Sequence, residues 1–344
     1  MTYILIGCGI RELAVNKPFN SRDYEPFISL IVPVFNERDV IEIFLNRTSA
    51  VLEQHGFDYE YVFVNDGSTD ETLAKLIQLS SCNPFIRIIN LSRNFGKEAA
   101  MTAGIDHVRG NVLIPIDVDL QDPPELIPRF VEKWREGYDV VYGVRTTRND
   151  DSTIKRVTAG WFYNLFNRLS PVPIPDSAGD FRLLDERAIE VLRQLPERNR
   201  FMKGLFAWVG FYSIGVAYSR PARVAGQTKW SLRKLWNFAL DGIFSFSTTP
   251  LRMWSYVGIL ISLIAFLYAT FIVTRTVILG IDLPGYASLL TVVLFLGGIQ
   301  LISLGVIGEY LGRLLIEAKQ RPVYVIEGEY ADGGLTPSDQ SDKN

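Results

Sequence analysis

Two aspartates one residue apart, Asp117 and Asp119, with Gln121 and Asp122 close behind, are the side chains of this chain best suited to chemistry. They follow the apolar run Val112 to Ile116 in the stretch GNVLIPIDVDLQDPPE, bounded by Gly110 and Pro123. A run of this length without polar alternation predicts a strand covered on both faces, as in an α/β sheet. The acids then lie at its carboxyl end, where open α/β sheets bind their ligands. Two or three hard oxygen donors in a partly open site, here Asp117, Asp119 and Gln121, suit Mg²⁺ or Mn²⁺ bridging a diphosphate. A solvated acidic turn before a helix is the competing account, and the surrounding elements have to decide between them.

Those elements alternate. Phe27 to Val34 predicts a strand by its β-branched content, and Asn36 is placed to cap a helix with apolar residues at Val40, Ile41, Phe44, Leu45, Thr48 and Leu52. A strand from Tyr59 to Val64 leads into Asn65-Asp66-Gly67-Ser68, where Ser68 and Glu71 have the spacing of a capping box for the next helix. A third strand, Ile86 to Leu91, precedes a small-residue helix from about Glu98 to Val108. After the central strand, Leu126, Ile127, Phe130, Val131 and Trp134 mark a helix stripe, and Asp139 to Gly143 a further strand that ends at Arg145. This order predicts an α/β fold with a mostly parallel, Rossmann-like sheet. Ser213 to Ser219 reads as an edge strand.

The chain has 344 residues and a net charge of −3, which allows about two domains and offers no basic surface for nucleic acid. Only two histidines, His55 and His107, and two cysteines, Cys8 and Cys82, occur, so neither a Ser-His-Asp centre nor a disulfide or zinc framework is expected. Tyr3 to Ile10 is apolar but too short for a span and lacks the basic start of a signal peptide. Trp254 to Thr274 and Tyr286 to Gly308 contain no charged side chain, and each exceeds the ~18 residues of a membrane-spanning candidate. Before them, Leu232, Leu235, Trp236, Ala239, Leu240, Ile243 and Phe244 recur at helical spacing, as in an amphipathic helix lying in the interface. Lys and Arg flank the pair on its outer ends, which puts both termini in the cytoplasm.

Four motifs in order, VPVFNE at Val32 to Glu37, VNDGSTD at Val64 to Asp70, RNFGKEAA at Arg93 to Ala100 and DVDLQDPPE at Asp117 to Glu125, resemble glycosyltransferase family 2 of the GT-A fold. The subgroup resembled is the polyprenyl-phosphate glycosyltransferases, including dolichol-phosphate mannose synthase and the bacterial bactoprenol glucosyltransferases. The resemblance runs from about Phe27 to Ile326. It implies a nucleotide site at Pro33, Glu37 and Asp66, and an active-site role for Asp180 in DSAGDFRLL, a segment otherwise readable as an exposed helix start. Arg223 and Lys229, in RPARVAGQTKWS, match the family's basic segment and, with Arg145 and Arg200, are assigned to the acceptor phosphate.

The expected organisation is an N-terminal extension (1–26), a catalytic domain (27–230), an interfacial helix (231–250), two transmembrane helices within 251–313 and a cytoplasmic tail (314–344), polar and disordered from Asp332. The resemblance implies inverting transfer of glucose from UDP-glucose to undecaprenyl phosphate at the cytoplasmic membrane face, aided by Mg²⁺ or Mn²⁺. GDP-mannose or a UDP-linked modified arabinose are alternative donors, and a non-catalytic nucleotide-sugar sensor is an alternative of another class. Members of the family often assemble as homo-oligomers. The Q-x-x-R-W signature of processive synthases is absent, which argues against a polymerase.

Overall fold

The computed structural model describes residues 21–145, 178–219, 247, 249–279 and 285–336. Strands β1 (Phe27–Val34), β2 (Asp58–Asn65), β3 (Ile86–Leu91) and β4 (Val112–Pro115) alternate with helices α1 (Ile41–Gln54), α2 (Thr72–Ser80) and α3 (Lys97–His107). A single 3-10 turn, Pro124–Leu126, leads into α4 (Ile127–Arg135), followed by β5 (Val140–Arg145) and β6 (Ala178–Asp185). Two short helices, α5 (Glu186–Gln194) and α6 (Met202–Trp208), precede β7 (Ser213–Tyr218). Long apolar helices α7 (Thr249–Leu279) and α8 (Tyr286–Ala318) come next, and then β8 (Ile326–Ala331) and β9 (Gly334–Thr336).

The strands form one sheet of order β7-β5-β6-β4-β1-β2-β3-β8-β9. Pairs β1–β2, β1–β4, β2–β3 and β5–β7 are parallel, whereas β4–β6, β5–β6, β3–β8 and β8–β9 are antiparallel. The sheet is therefore mixed rather than mostly parallel. Local pattern shows which runs are strands, but it does not say that β6 inserts between β4 and β5 in the reverse direction.

Alternate residues of the buried strands face two cores. Ile28, Leu30, Val32, Tyr61, Phe63 and Ile114 pack with α1, α2 and α4, whose apolar stripe Ile127, Phe130, Val131 and Trp134 is wholly covered. Ile31, Val62, Val64, Ile89 and Leu113 pack with α3, α5 and α6 on the opposite face. Helix α3 is buried continuously from Ala99 to Ile105 because its side chains are small. A Cβ at Gly104 would lie 2.5 Å from Ile31 Cγ2, so glycine there sets how closely α3 approaches β1.

Two expected caps are not formed. Asn36 has φ of 55° and accepts the Thr69 N–H at 2.8 Å, while Ser68 Oγ accepts the Asn36 N–H at 3.0 Å. These side chains join the β1–α1 loop to the β2–α2 loop, and α2 begins only at Thr72, whose N–H is taken by Asp70 Oδ1 at 3.0 Å. The segment after α8 also departs from the expected tail. Strand β8 pairs with β3 from Arg87 to Leu91, and β9 pairs with β8.

Apolar side chains of α7 and α8, among them Tyr256, Ile259, Phe266, Leu301 and Leu304, are exposed. Among the described residues one stretch, Phe295–Ala318, is long and apolar enough to cross a membrane, and Tyr256–Tyr268 is a shorter apolar stretch. The amphipathic segment predicted at 231–250 lies almost wholly outside the described residues.

Candidate active site

The carboxyl ends of β1, β2 and β4 meet in register: Val34 pairs with Asn65, and Ile31 with Pro115. Their loops therefore open into one crevice, as a parallel arrangement requires. Asp66 is nearly buried, and both of its oxygens are occupied by the next loop. Oδ1 accepts the Phe95 N–H at 2.7 Å and Oδ2 the Gly96 N–H at 3.0 Å. Burial raises its pKa, and these two bonds act against the rise. Close approach is possible because residue 67 is glycine: at φ of 62°, a Cβ would lie 2.3 Å from the Arg93 carbonyl carbon. Pro33 sits partly covered near the end of β1, and the Glu37 N–H donates to Thr72 Oγ1 at 3.0 Å.

At the end of β4 a lysine is the organising group. Lys97, the first residue of α3, places its Nζ 2.7 Å from Asp117 Oδ1 and 2.9 Å from Asp180 Oδ2. Burial works against its charge, but the two carboxylates hold its pKa well above the usual lysine range. Asp180 shows the converse: burial would raise it, yet Lys97 and Lys203 hold it well below the usual carboxylate range. Its neighbour Glu98 differs, because burial and then the charge of Asp180 push its carboxyl up to about 7. Glu98 Oε2 accepts the Met202 N–H at 2.9 Å.

Asp119 lies beyond this ion pair. The chain turns through Leu120 at φ of 57°, which brings the Gln121 N–H to Asp119 Oδ1 at 3.1 Å. Asp122 points elsewhere: it is buried and accepts the Tyr218 hydroxyl at 2.7 Å, and that hydroxyl in turn receives Arg145 Nε at 3.3 Å. Burial, and then Asp122, push the Tyr218 hydroxyl up to about 12, so it remains a donor at neutral pH. Arg145 is thereby held near Asp180. A Cβ at Gly179 would stand 3.3 Å from Arg145 Nη2.

The structure thus brings Asp117 and Asp180 together and sets Arg145 beside them. Asp180 belongs to strand β6, not to a helix start. Arg200 donates to the carbonyls of Leu195, Glu197 and Leu192 at 2.8, 3.2 and 3.5 Å, bonds that shape its own loop. Arg223 and Lys229 lie outside the described residues. Sequence reasoning missed Lys97 and Glu98 as site residues. The available signal was RNFGKEAA itself, which puts a cation and an acid on the first turn of a helix that starts at the crevice.

Among the described residues no group of three or more metal-binding carboxylate, histidine or cysteine side chains occurs. Asp117, Asp119 and the Gln121 amide are hard oxygen donors of the kind that Mg²⁺ takes together with substrate phosphates and water, and here Asp117 Oδ1 is paired with Lys97 Nζ at 2.7 Å. They do not form a closed protein cage.

These features define an α/β domain with a carboxylate crevice at its strand ends, continued by a pair of apolar helices. The profile of glycosyl transferase family 2 matches residues 29–193, and that of the GtrB C-terminal hairpin matches residues 249–314. An uncharacterized glycosyltransferase of Synechocystis sp. is 54% identical over 299 residues, which covers 87% of this chain and 94% of that protein. The bactoprenol glucosyl transferase of Shigella phage SfV is 48% identical over 302 residues, covering 88% and 98%. A prophage bactoprenol glucosyl transferase homolog of Escherichia coli is 48% identical over 300 residues, covering 87% and 98%. The chain belongs to glycosyltransferase family 2, and its mixed-sheet α/β domain is of the GT-A type.

Proposed function

We propose that this glycosyltransferase transfers glucose from UDP-glucose to undecaprenyl phosphate, with inversion, at the cytoplasmic face of a membrane. The observation that carries the reading is the identity, near half over almost the whole length, to relatives named bactoprenol glucosyl transferases. The site is compatible with it. In the reaction the bond from the sugar C1 to the diphosphate oxygen breaks, a bond from C1 to the acceptor phosphate oxygen forms, and the nucleoside diphosphate leaves. A divalent cation held by Asp117, Asp119 and Gln121 would supply charge neutralisation for the departing diphosphate.

The chain's own residues complete the arrangement. Asp66 orders the Phe95–Gly96 loop beside the nucleotide, with Pro33 and Glu37 on the neighbouring loop. Lys97 fixes Asp117 and Asp180 and adds a positive charge where the diphosphate would lie. Held ionised, Asp180 is a weak base, and it serves as an acceptor for sugar hydroxyl groups. No strong base is required, because an acceptor phosphate with a second pKa of about 6 is already an oxyanion. Arg145, set by Tyr218 and Asp122, together with Arg223 and Lys229, receives that phosphate.

Helices α7 and α8 are read as two transmembrane spans with both ends cytoplasmic. Strand β7 before the two helices and strand β8 after them belong to the same sheet, and the Ser247 carbonyl accepts the Tyr310 hydroxyl of α8 at 2.7 Å. Departure and return on one side require an even number of crossings, and two apolar helices are available. The test is transfer of labelled sugar from UDP-glucose to undecaprenyl phosphate in detergent, with Mg²⁺ or Mn²⁺ and with EDTA. A metal-dependent lipid-linked monosaccharide is expected. Product only from GDP-mannose or a UDP-linked arabinose would replace the donor, and nucleotide binding without transfer from any donor would replace the reaction by sensing.

A further inference from the structure

The last turn of α8 reaches into the catalytic domain. Glu317 takes the Arg198 N–H on both carboxylate oxygens, at 2.9 and 3.1 Å, and the Asn199 N–H at 3.1 Å. These amides belong to the α5–α6 loop, which has no strand or helix ladder of its own to satisfy them. A carboxylate accepting several N–H groups makes strong, charge-assisted bonds, so the contact fixes the loop and not merely its proximity. Arg200 stiffens the same loop from within through its three carbonyl contacts.

From that loop two contacts lead to the carboxylate cluster. Met202, the first residue of α6, gives its N–H to Glu98, which adjoins Lys97 in sequence. On the same short helix, Phe206 lies under the Arg182 guanidinium at 4.1 Å, two residues from Asp180 on β6. Lys97 and Asp180 are the two groups whose meeting at 2.9 Å closes the cluster. One end of α6 therefore touches the helix that carries the lysine, and its body touches the strand that carries the aspartate.

We propose that Glu317 is a positioning residue: through the α5–α6 loop and α6, it couples the seating of the second apolar helix to the spacing of Lys97 and Asp180. A transferase whose acceptor lies in a membrane gains from such a link, because the cluster is then set only when the hairpin is docked. The kinetic consequence rests on the transferase reading above, but the structural coupling does not.

The test uses the full-length protein in detergent, as wild type, Glu317→Ala and the near-isosteric Glu317→Gln, which also serves if the alanine variant does not fold. Amide hydrogen exchange is followed in segments 196–204 and 97–104. Loss of the carboxylate is expected to speed exchange about tenfold in both segments. It is also expected to lower kcat about tenfold while the KM for UDP-glucose changes less than ~twofold, with Glu317→Gln between alanine and wild type. Exchange unchanged in 97–104 would overturn the coupling and leave at most a local anchor, and a kcat within ~twofold of wild type despite faster exchange in both segments would overturn its kinetic consequence. An inactive wild type would instead count against the transferase reading, and the exchange in 97–104 would still decide the coupling.

Discussion

Lys97 gathers charge that would otherwise repel. Without it, the carboxylates of Asp117 and Asp180 would share a partly buried space with no ammonium between them. Lys97→Met is expected to reduce turnover by about two orders of magnitude, the usual cost of removing one preorganised electrostatic group, as measured by lipid-linked product formation. Stability should fall by only about 1 kcal/mol, because the ammonium is a third exposed and solvent screens it. Glu98 supplies the pH dependence. Its carboxyl rises from 4.5 to about 7 on folding, so the native state binds more protons than the unfolded chain between those values. Its contribution is thus complete below about pH 4.5 and is lost as pH rises through 7, up to about 3 kcal/mol in all. Glu98→Gln should flatten that part of the stability curve, and thermal midpoints between pH 4.5 and 7.5 check it. An unchanged slope would exclude Glu98 as the titrating group.

At the scale of elements, the crevice depends on loops that hold one another. The β1–α1 loop is bound to the β2–α2 loop through Asn36, Ser68 and Thr69, and the β2–α2 loop to the β3–α3 loop through Asp66. Gly67 lets the last two approach. Gly67→Ala would impose a left-handed backbone on an L side chain and drive its Cβ into the Arg93 backbone. Separation of the loops would also break the two amide bonds to Asp66, so a loss of about 3 kcal/mol is expected in denaturant titration. Nucleotide affinity should drop with it. These loops were only partly legible beforehand: Asp66 and Gly67 stood out as a turn, whereas Asn36 and Ser68 read as helix caps. Short polar side chains satisfy nearby backbone equally well in a cap or across loops, and only the distance between the loops decides.

For the whole molecule, the return of the chain from the apolar helices to the sheet is the main structural constraint. Strand β8 covers the edge of β3, and Glu327 Oε2 accepts Asn90 Nδ2 at 2.8 Å, while Asn90 Oδ1 accepts Asn65 Nδ2 at 2.7 Å. A chain ending after Gln320 would leave β3 unpaired and this line of amides, next to Asp66, incomplete. Its expected outcome is a loss of at least about 2 kcal/mol and a tendency to associate through the exposed edge. Denaturant unfolding and size-exclusion chromatography would check it, and unchanged stability with a monodisperse profile would show β8 to be dispensable.

Hydrophobic periodicity and turn chemistry are local, and they determined the alternation of β1 to β4 with α1 to α3, the amphipathic face of α4, the apolar helices and the acidic strand end at Asp117 to Asp122. Motif spacing carried the family. Only the tertiary structure decided that the sheet is mixed, that β8 and β9 complete it, that Asp122 supports Arg145 through Tyr218, and that Lys97 joins Asp117 to Asp180. Each of these depends on which distant segments become neighbours and in which direction they run. Burial within one element leaves a sequence period behind, whereas a pairing between elements leaves none.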